Sequence, residues 1–246
     1  MPLTAICHST GALVESFSVS DAEWALMRAN KGGYLMRRTG KVAVLKQNQY
    51  GTRWFQSLPG DRDPNYKPES AAHEMTKVWM VQALRDAGYS TAVVENYGTT
   101  PDGESWEADV YFEASGRRIA IEVQMSPQSL EDYLYRSDRY RRSGVKVVWL
   151  VRHYRKFSFE AVARKGFKPV GDKWGTYPDL YEIPALSLEV HCDMSKPEKE
   201  KIHINILDVT ERRYLYRKIS LKEFAVGVAE GRLTYRDKDR WMWKAN

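Results

Sequence analysis

Cysteine is nearly absent: only Cys7 and Cys192 occur in 246 residues. So few thiols exclude a disulfide scaffold and predict a reducing compartment. No apolar run reaches the roughly 20 residues that a membrane-spanning helix needs. The opening MPLTAICHST lacks the basic head and apolar stretch of a secretion signal. These readings predict a soluble, cytoplasmic protein with no membrane partner. There is no Gly-rich phosphate loop, no Ser/His/Asp pattern that can be placed, no internal repeat and no low-complexity tract. That removes P-loop and serine-nucleophile chemistry and the solenoid folds. Cys7-His8 and His191-Cys192 formally supply a Cys₂His₂ set. Their spacing is not that of a zinc finger, and adjacent residues on a strand point to opposite faces, so no zinc site is expected.

What the chain does have is a core-forming composition, 43% hydrophobic and 28% charged, so a packed interior is within reach. The net charge of +6 leans towards a polyanionic partner. The 8 Trp and 15 Tyr offer stacking surfaces, although core packing is their commoner use.

Residues 2–17 read as two short strands around Ser9-Thr10-Gly11, followed by a helix capped at Ser20 or Asp21 and running to about Ala29. YLMRRTGKVAVLKQ reads as a hairpin turning at Thr39-Gly40. Pro, Gly and Asp crowd residues 56–70, which marks a boundary. Beyond it, SAAHEMTKVWMVQALRDAG carries Met75, Val78, Trp79, Ala83 and Leu84 at helical spacing and stops at Gly88. TAVVEN is a strand. WEADVYFEASGRRIAIEVQM is a pair of strands turning at Ser115-Gly116. SPQSLEDYLYRSDRYRRSG is a helix whose apolar positions are Leu130 and Leu134, extending towards Ser137 and ending at Gly144. VKVVWLV is a strand covered on both faces, joined in parallel through that helix. YEIPALSLEV and KIHINIL are strands around the charged loop SKPEKEKI, and Ser220 with Glu223 starts a last helix. This predicts three parts: a small β-rich segment over 1–66, a core over 67–152 and an α+β extension over 153–246.

IAIEVQ, residues 119–124, alternates like a half-buried strand and puts Glu122 and Gln124 on one face. If Ser115-Gly116 is the turn, Ala114 faces Arg117 and Asp109 faces Glu122. Two carboxylates across a ladder lie about 4.5–5.5 Å apart at Cβ and repel, so a cation is needed. A divalent ion such as Mg²⁺ would serve. So would a plain ion network with Arg117, Arg118 or Lys77. In DYLYRSDRYRRSG, Arg136, Arg139, Arg141 and Arg142 interleave with Tyr133, Tyr135 and Tyr140. That pattern suits phosphate and base contacts, or a solvated face balanced by Glu131, Asp132 and Asp138.

An Asp on one strand and a Glu-x-Lys on the next, after a helix bearing Glu, make up the PD-(D/E)xK nuclease arrangement, which these elements resemble. More narrowly, Glu69, Ser70, His73 and Lys77, then ADV at 108–110, then IAIEVQ-x-S-x-x-S at 119–129, resemble the competence protein CoiA-like nuclease family. The likeness extends over about residues 68–151. It implies a restriction-endonuclease-like αβββαβ core with a mixed sheet in an α/β protein. It further implies a metal-dependent nuclease that hydrolyses DNA, with a role in competence, recombination or defence and with recombination proteins as candidate partners. Asp109 and Glu122, with the carbonyl of Val123, would hold Mg²⁺ or Mn²⁺. Gln124 would stand where the superfamily's lysine places the attacking water. Glu69 and Lys77 would join the catalytic set, on one helix face with His73. His73, Ser126, Ser129, Arg136, Arg139 and Tyr140 would meet nucleic acid. Three departures stand out: Glu107 replaces a frequent Arg, the N-terminal cysteines of relatives are missing, and Gln124 cannot carry a lysine's charge. A DNA-binding module without turnover, or a protein recruiting recombination factors, is the alternative.

Overall fold

Helix and sheet both follow from patterning that the backbone can satisfy. The computed structural model describes residues 2–49, 51–61, 69–152, 185–189, 201–208, 213–236 and 240–244. Contacts divide the chain into Met1–Glu74 and Met75–Asn246.

In the first unit, β1 (Thr4–Cys7) pairs antiparallel with β2 (Leu13–Glu15) and with β3 (Tyr34–Leu35). Helix α1 (Asp21–Ala29) starts at Ser20, whose side chain accepts from the Glu23 amide while Glu23 reaches back to the Ser20 amide. This is a reciprocal capping box. The expected hairpin over 34–47 forms only in part. Gly40 turns the chain with φ +67, and Leu35 bridges Val42. However, β4 (Ala43–Gln47) takes β5 (Arg53–Ser57) as its ladder partner. Five paired residues, with Leu45 opposite Phe55, outweigh the two of β3. Phe55 then packs with Trp24, Met27, Met36 and Ala43. A short 3-10 turn, Pro59–Asp61, follows.

Helix α2 (Ala71–Asp86) straddles the division. Ser70 caps it, its hydroxyl accepting from the His73 amide. Then come β6 (Val93–Thr99), β7 (Ser105–Ala114), β8 (Arg117–Gln124), α3 (Leu130–Arg142) and β9 (Val145–Arg152). The order of these elements is αβββαβ. β6, β7 and β8 are antiparallel, and β8 and β9 are parallel. β10 (Ala185–Glu189) extends the parallel edge. β11 (Lys201–Asp208), β12 (Arg213–Ser220), β13 (Leu233–Arg236) and β14 (Arg240–Trp243) complete a nine-stranded mixed sheet. Helix α4 (Leu221–Ala229) is capped by Ser220, whose hydroxyl accepts from the Glu223 amide. The charged loop between β10 and β11, like Cys192, lies outside the described residues. No helix among the described residues is long and apolar enough to cross a membrane.

The turn at Ser115-Gly116 has φ +51 and +70, both positive, as a two-residue type I′ hairpin requires. It sets Ala114 opposite Arg117, and the register runs back to Val110 opposite Ile121. Gly98 sits opposite Trp106, and a Cβ there would meet the indole at 2.1 Å, so only glycine admits the ring. β8 is more deeply placed than its alternation suggests. It lies between β7 and β9, and from Ile119 to Gln124 every residue is buried, polar ones included. A strand central in a sheet with helices against it has no solvent face.

Candidate functional site

The chemistry gathers where β6, β7 and β8 meet α2 and α3. Glu122 is 1% exposed on β8. An isolated carboxylate there would be strongly disfavoured. Its Oε1 accepts from the hydroxyl of Tyr140, and its Oε2 accepts from Arg136 Nη2. Arg136 Nη1 also donates to Gln124 Oε1 at 3.3 Å and to Gln128 Oε1 at 3.0 Å. The guanidinium lies 4.6 Å over the Trp149 ring, a cation–π contact. Trp149 is fixed in turn: its Nε1–H donates to Ser137 at 3.0 Å, and its ring meets Tyr133 edge-on at 4.8 Å. Gln124 uses its amide nitrogen on Ser126, reaching the carbonyl at 2.8 Å and Oγ at 3.1 Å.

Burial opposes the charge on Arg136, but Glu122 first and Asp109 next outweigh it and hold its pKa above the ordinary value. Burial pushes the Tyr140 hydroxyl well above its usual range, and the Glu122 charge and hydrogen bond add to the shift. Tyr140 thus stays a hydrogen-bond donor at any ordinary pH.

Asp109 is held differently. Its Oδ2 accepts from the Val123 amide at 2.7 Å, and its Oδ1 lies 3.9 Å from Lys77 Nζ. Lys77 is 1% exposed and reaches Glu95 at 3.3 Å. Glu95 has φ +51, rare for a residue with a side chain. The β6–β7 ladder pairs Val94 with Val110 and Asn96 with Ala108 but skips the step between them. That local break sits beside the acids, a common place for stored backbone strain.

Sequence reasoning placed Glu122 beside Gln124 by strand parity and set Arg136 against nucleic acid; the structure instead brings Arg136 onto both side chains. Continuing the β7–β8 register from Val110–Ile121 sets Asp109 opposite Glu122, but their partners come from different helices: Lys77 on α2, and Arg136 and Tyr140 on α3. Two expectations are corrected. Glu69 precedes α2, which starts at Ala71, so helical spacing links His73 with Lys77 but not Glu69. Tyr140, expected against nucleic acid, is buried with its hydroxyl on Glu122 and on the Glu107 carbonyl. On α3, Tyr133, Ser137 and Tyr140 are buried and Leu134 packs against the same core.

Arg139 donates to the Ser105 carbonyl at 2.6 Å and stacks on Tyr135. Arg142 pairs with Asp102, Glu104 and Asp138, and Arg141 pairs with Asp138. Much of the arginine-tyrosine run is therefore spent within the fold. Ser129 caps α3, its hydroxyl accepting from the Asp132 amide, while Ser126 stays exposed. Sequence reading missed Glu95 and Trp149. The carboxylate ending the apolar TAVVEN was a faint signal for the first; nothing local signalled the second.

Residues 69–164 match the family model described as competence protein CoiA, nuclease-like domain. This segment is CoiA-like. The CoiA-like match begins at Glu69 and takes in Lys77, Asp109, Glu122, Gln124 and Arg136. No curated protein matches. Among solved structures, protein of unknown function AF1548 is 14% identical, over 65% of this chain and 99% of that one, with a TM-score of 0.26. Pyrococcus furiosus SfsA in complex with Ca²⁺ is 13% identical, over 74% of this chain and 78% of that one, with a TM-score of 0.28.

Proposed function

We propose that this protein is a divalent-metal-dependent nuclease that hydrolyses DNA phosphodiester bonds on a restriction-endonuclease-like core. The nuclease-like role comes from the CoiA-like match. The metal dependence is supported by one observation: Asp109 and Glu122 stand on neighbouring strands one step beyond the Val110–Ile121 pair, with the Asp109 carboxylate held at the Val123 amide. Two hard oxygen donors from adjacent strands suit a divalent ion. Asp109, Glu122 and the Val123 carbonyl would hold Mg²⁺ or Mn²⁺. The ion supplies activation of water and neutralisation of the phosphate.

The protein's own groups have separate tasks in this reading. Asp109 keeps its carboxylate in place through the Val123 amide. Gln124, fixed by Ser126, orients the attacking water through its amide. Lys77 contributes positive charge beside Asp109, which Gln124 cannot do. Glu69, before α2, and His73, on it, fall within the CoiA-like match as well, and His73, Ser126, Ser129 and Arg139 would border the DNA.

A second reading, a DNA-binding module without turnover, is favoured by the engagement of both Glu122 oxygens by α3. Incubating the protein with single- and double-stranded DNA and Mg²⁺ or Mn²⁺, beside Asp109→Ala, separates the two. Metal-dependent cutting lost in the variant supports the nuclease. Salt-sensitive binding with no cutting under any metal supports the module.

A further inference from the structure

We propose that Arg136 is an internal counterion, a latch that a divalent ion must displace from Glu122 before the site can load. This rests on the metal-dependent reading above. The geometry sets the two occupancies in competition. Glu122 is sealed in the sheet at 1% exposure, and Arg136 Nη2 already takes its Oε2. A metal on that oxygen would lie within a few ångströms of the guanidinium, and the repulsion of the two positive charges sets one against the other.

The network is also built to release its cation. The Arg136 side chain is 30% exposed, whereas Glu122 is sealed and Tyr140, its other partner from α3, is 1% exposed. Beyond Glu122 the head is held by two neutral amide oxygens, Gln124 at 3.3 Å and Gln128 at 3.0 Å, and by the Trp149 face. Bonds to neutral acceptors are individually weak. Gln128 is only half-buried, so the guanidinium has a partner on the way out. Glu122 itself does not have to move: Tyr140 keeps Oε1 in place while Oε2 changes partner.

The consequence is a metal affinity held down by competition, since an ion must replace an existing charge pair rather than enter an unbalanced pocket. Arg136 is thus a positioning residue that sets the metal concentration at which the site fills. Calorimetric titration of Mn²⁺ into the full chain, without DNA, tests this in wild type, Arg136→Met and Arg136→Lys. Arg136→Met is expected to bind Mn²⁺ at least tenfold more tightly than wild type. Arg136→Lys, which keeps the charge but loses the planar fork and the ring stacking, is expected to fall between them. If Arg136→Met does not fold, Arg136→Lys against wild type decides alone, and equal affinities overturn the latch. Equal Mn²⁺ affinity in all three overturns the latch and leaves the metal reading standing. No Mn²⁺ binding in any of them overturns the metal reading and the latch with it.

Discussion

Replacing Arg136 by Met while leaving Glu122 in place should be about 1 kcal/mol more damaging than replacing both. Glu122 is 1% exposed and takes hydrogen bonds from Arg136 and Tyr140. Removing one partner of a buried ion pair typically destabilises by about 3–5 kcal/mol, because the remaining charge stays desolvated. Arg136 is 30% exposed, so water can reach part of the gap, and about 3 kcal/mol is the expected loss. In Glu122→Gln the amide oxygen can still accept from Tyr140, and the half-exposed guanidinium turns to water, for about 1 kcal/mol. The double variant presents neutral groups to one another and should lose about 2 kcal/mol less than the sum of the singles. For a unit of this size, 3 kcal/mol corresponds to a fall of roughly 6–12 °C in Tm. Urea unfolding followed by circular dichroism, in chelator so that no metal intervenes, measures all four corners of the cycle. Additive single effects, or an Arg136→Met loss below about 1 kcal/mol, would refute the idea that this pair is a buried, mutually dependent charge network.

Glu95 gives a test of backbone strain. With φ +51, Glu95→Gly should be about 1 kcal/mol less destabilising than Glu95→Ala, since only glycine adopts this conformation without penalty; equal losses in denaturant unfolding would contradict it. Ser129→Ala should lower stability by about 1 kcal/mol through loss of the α3 cap. Whether it also weakens DNA binding, read by anisotropy, decides if this serine touches the substrate. The hydrogen bond from Ser9 and those from Thr10 lower the Cys7 pKa to about 7. The thiolate is the nucleophile, so alkylation by iodoacetamide should rise with pH and reach half its maximum near pH 7. A midpoint near 8.5 would show that these contacts do not operate in solution.

The core was legible because its signals are local. Ser115-Gly116 fixes a hairpin register, Ser129 and Gly144 bracket a helix, and VKVVWLV can only be a doubly covered strand. The parity of β8 correctly set Glu122 beside Gln124. The partners of those groups were not legible, because they depend on how α3 packs. Its buried residues include Tyr133, Ser137 and Tyr140, and such residues look like surface or nucleic-acid contacts in a chain of alternating arginine and tyrosine. Only the structure shows that Tyr140 and Arg136 answer the glutamate from the next helix. Glu95 was hidden for another reason. Positive φ in a strand is set by tertiary context rather than by local sequence, and the Lys77 side chain that meets Glu95 arrives from α2. The hairpin over 34–47 went astray because turn residues specify a bend but not which of two neighbouring strands wins the ladder.

The proposed hydrolysis of DNA depends on a metal held at Asp109 and Glu122. The most direct measurement follows cleavage of a labelled DNA across a Mg²⁺ and Mn²⁺ series with wild type and Glu122→Ala side by side, with metal binding read by calorimetry on the same preparations. Cutting should saturate with metal in wild type, and both cutting and metal binding should be lost in the variant. Cleavage that persists in chelator, or metal binding unchanged by Glu122→Ala, would contradict that dependence.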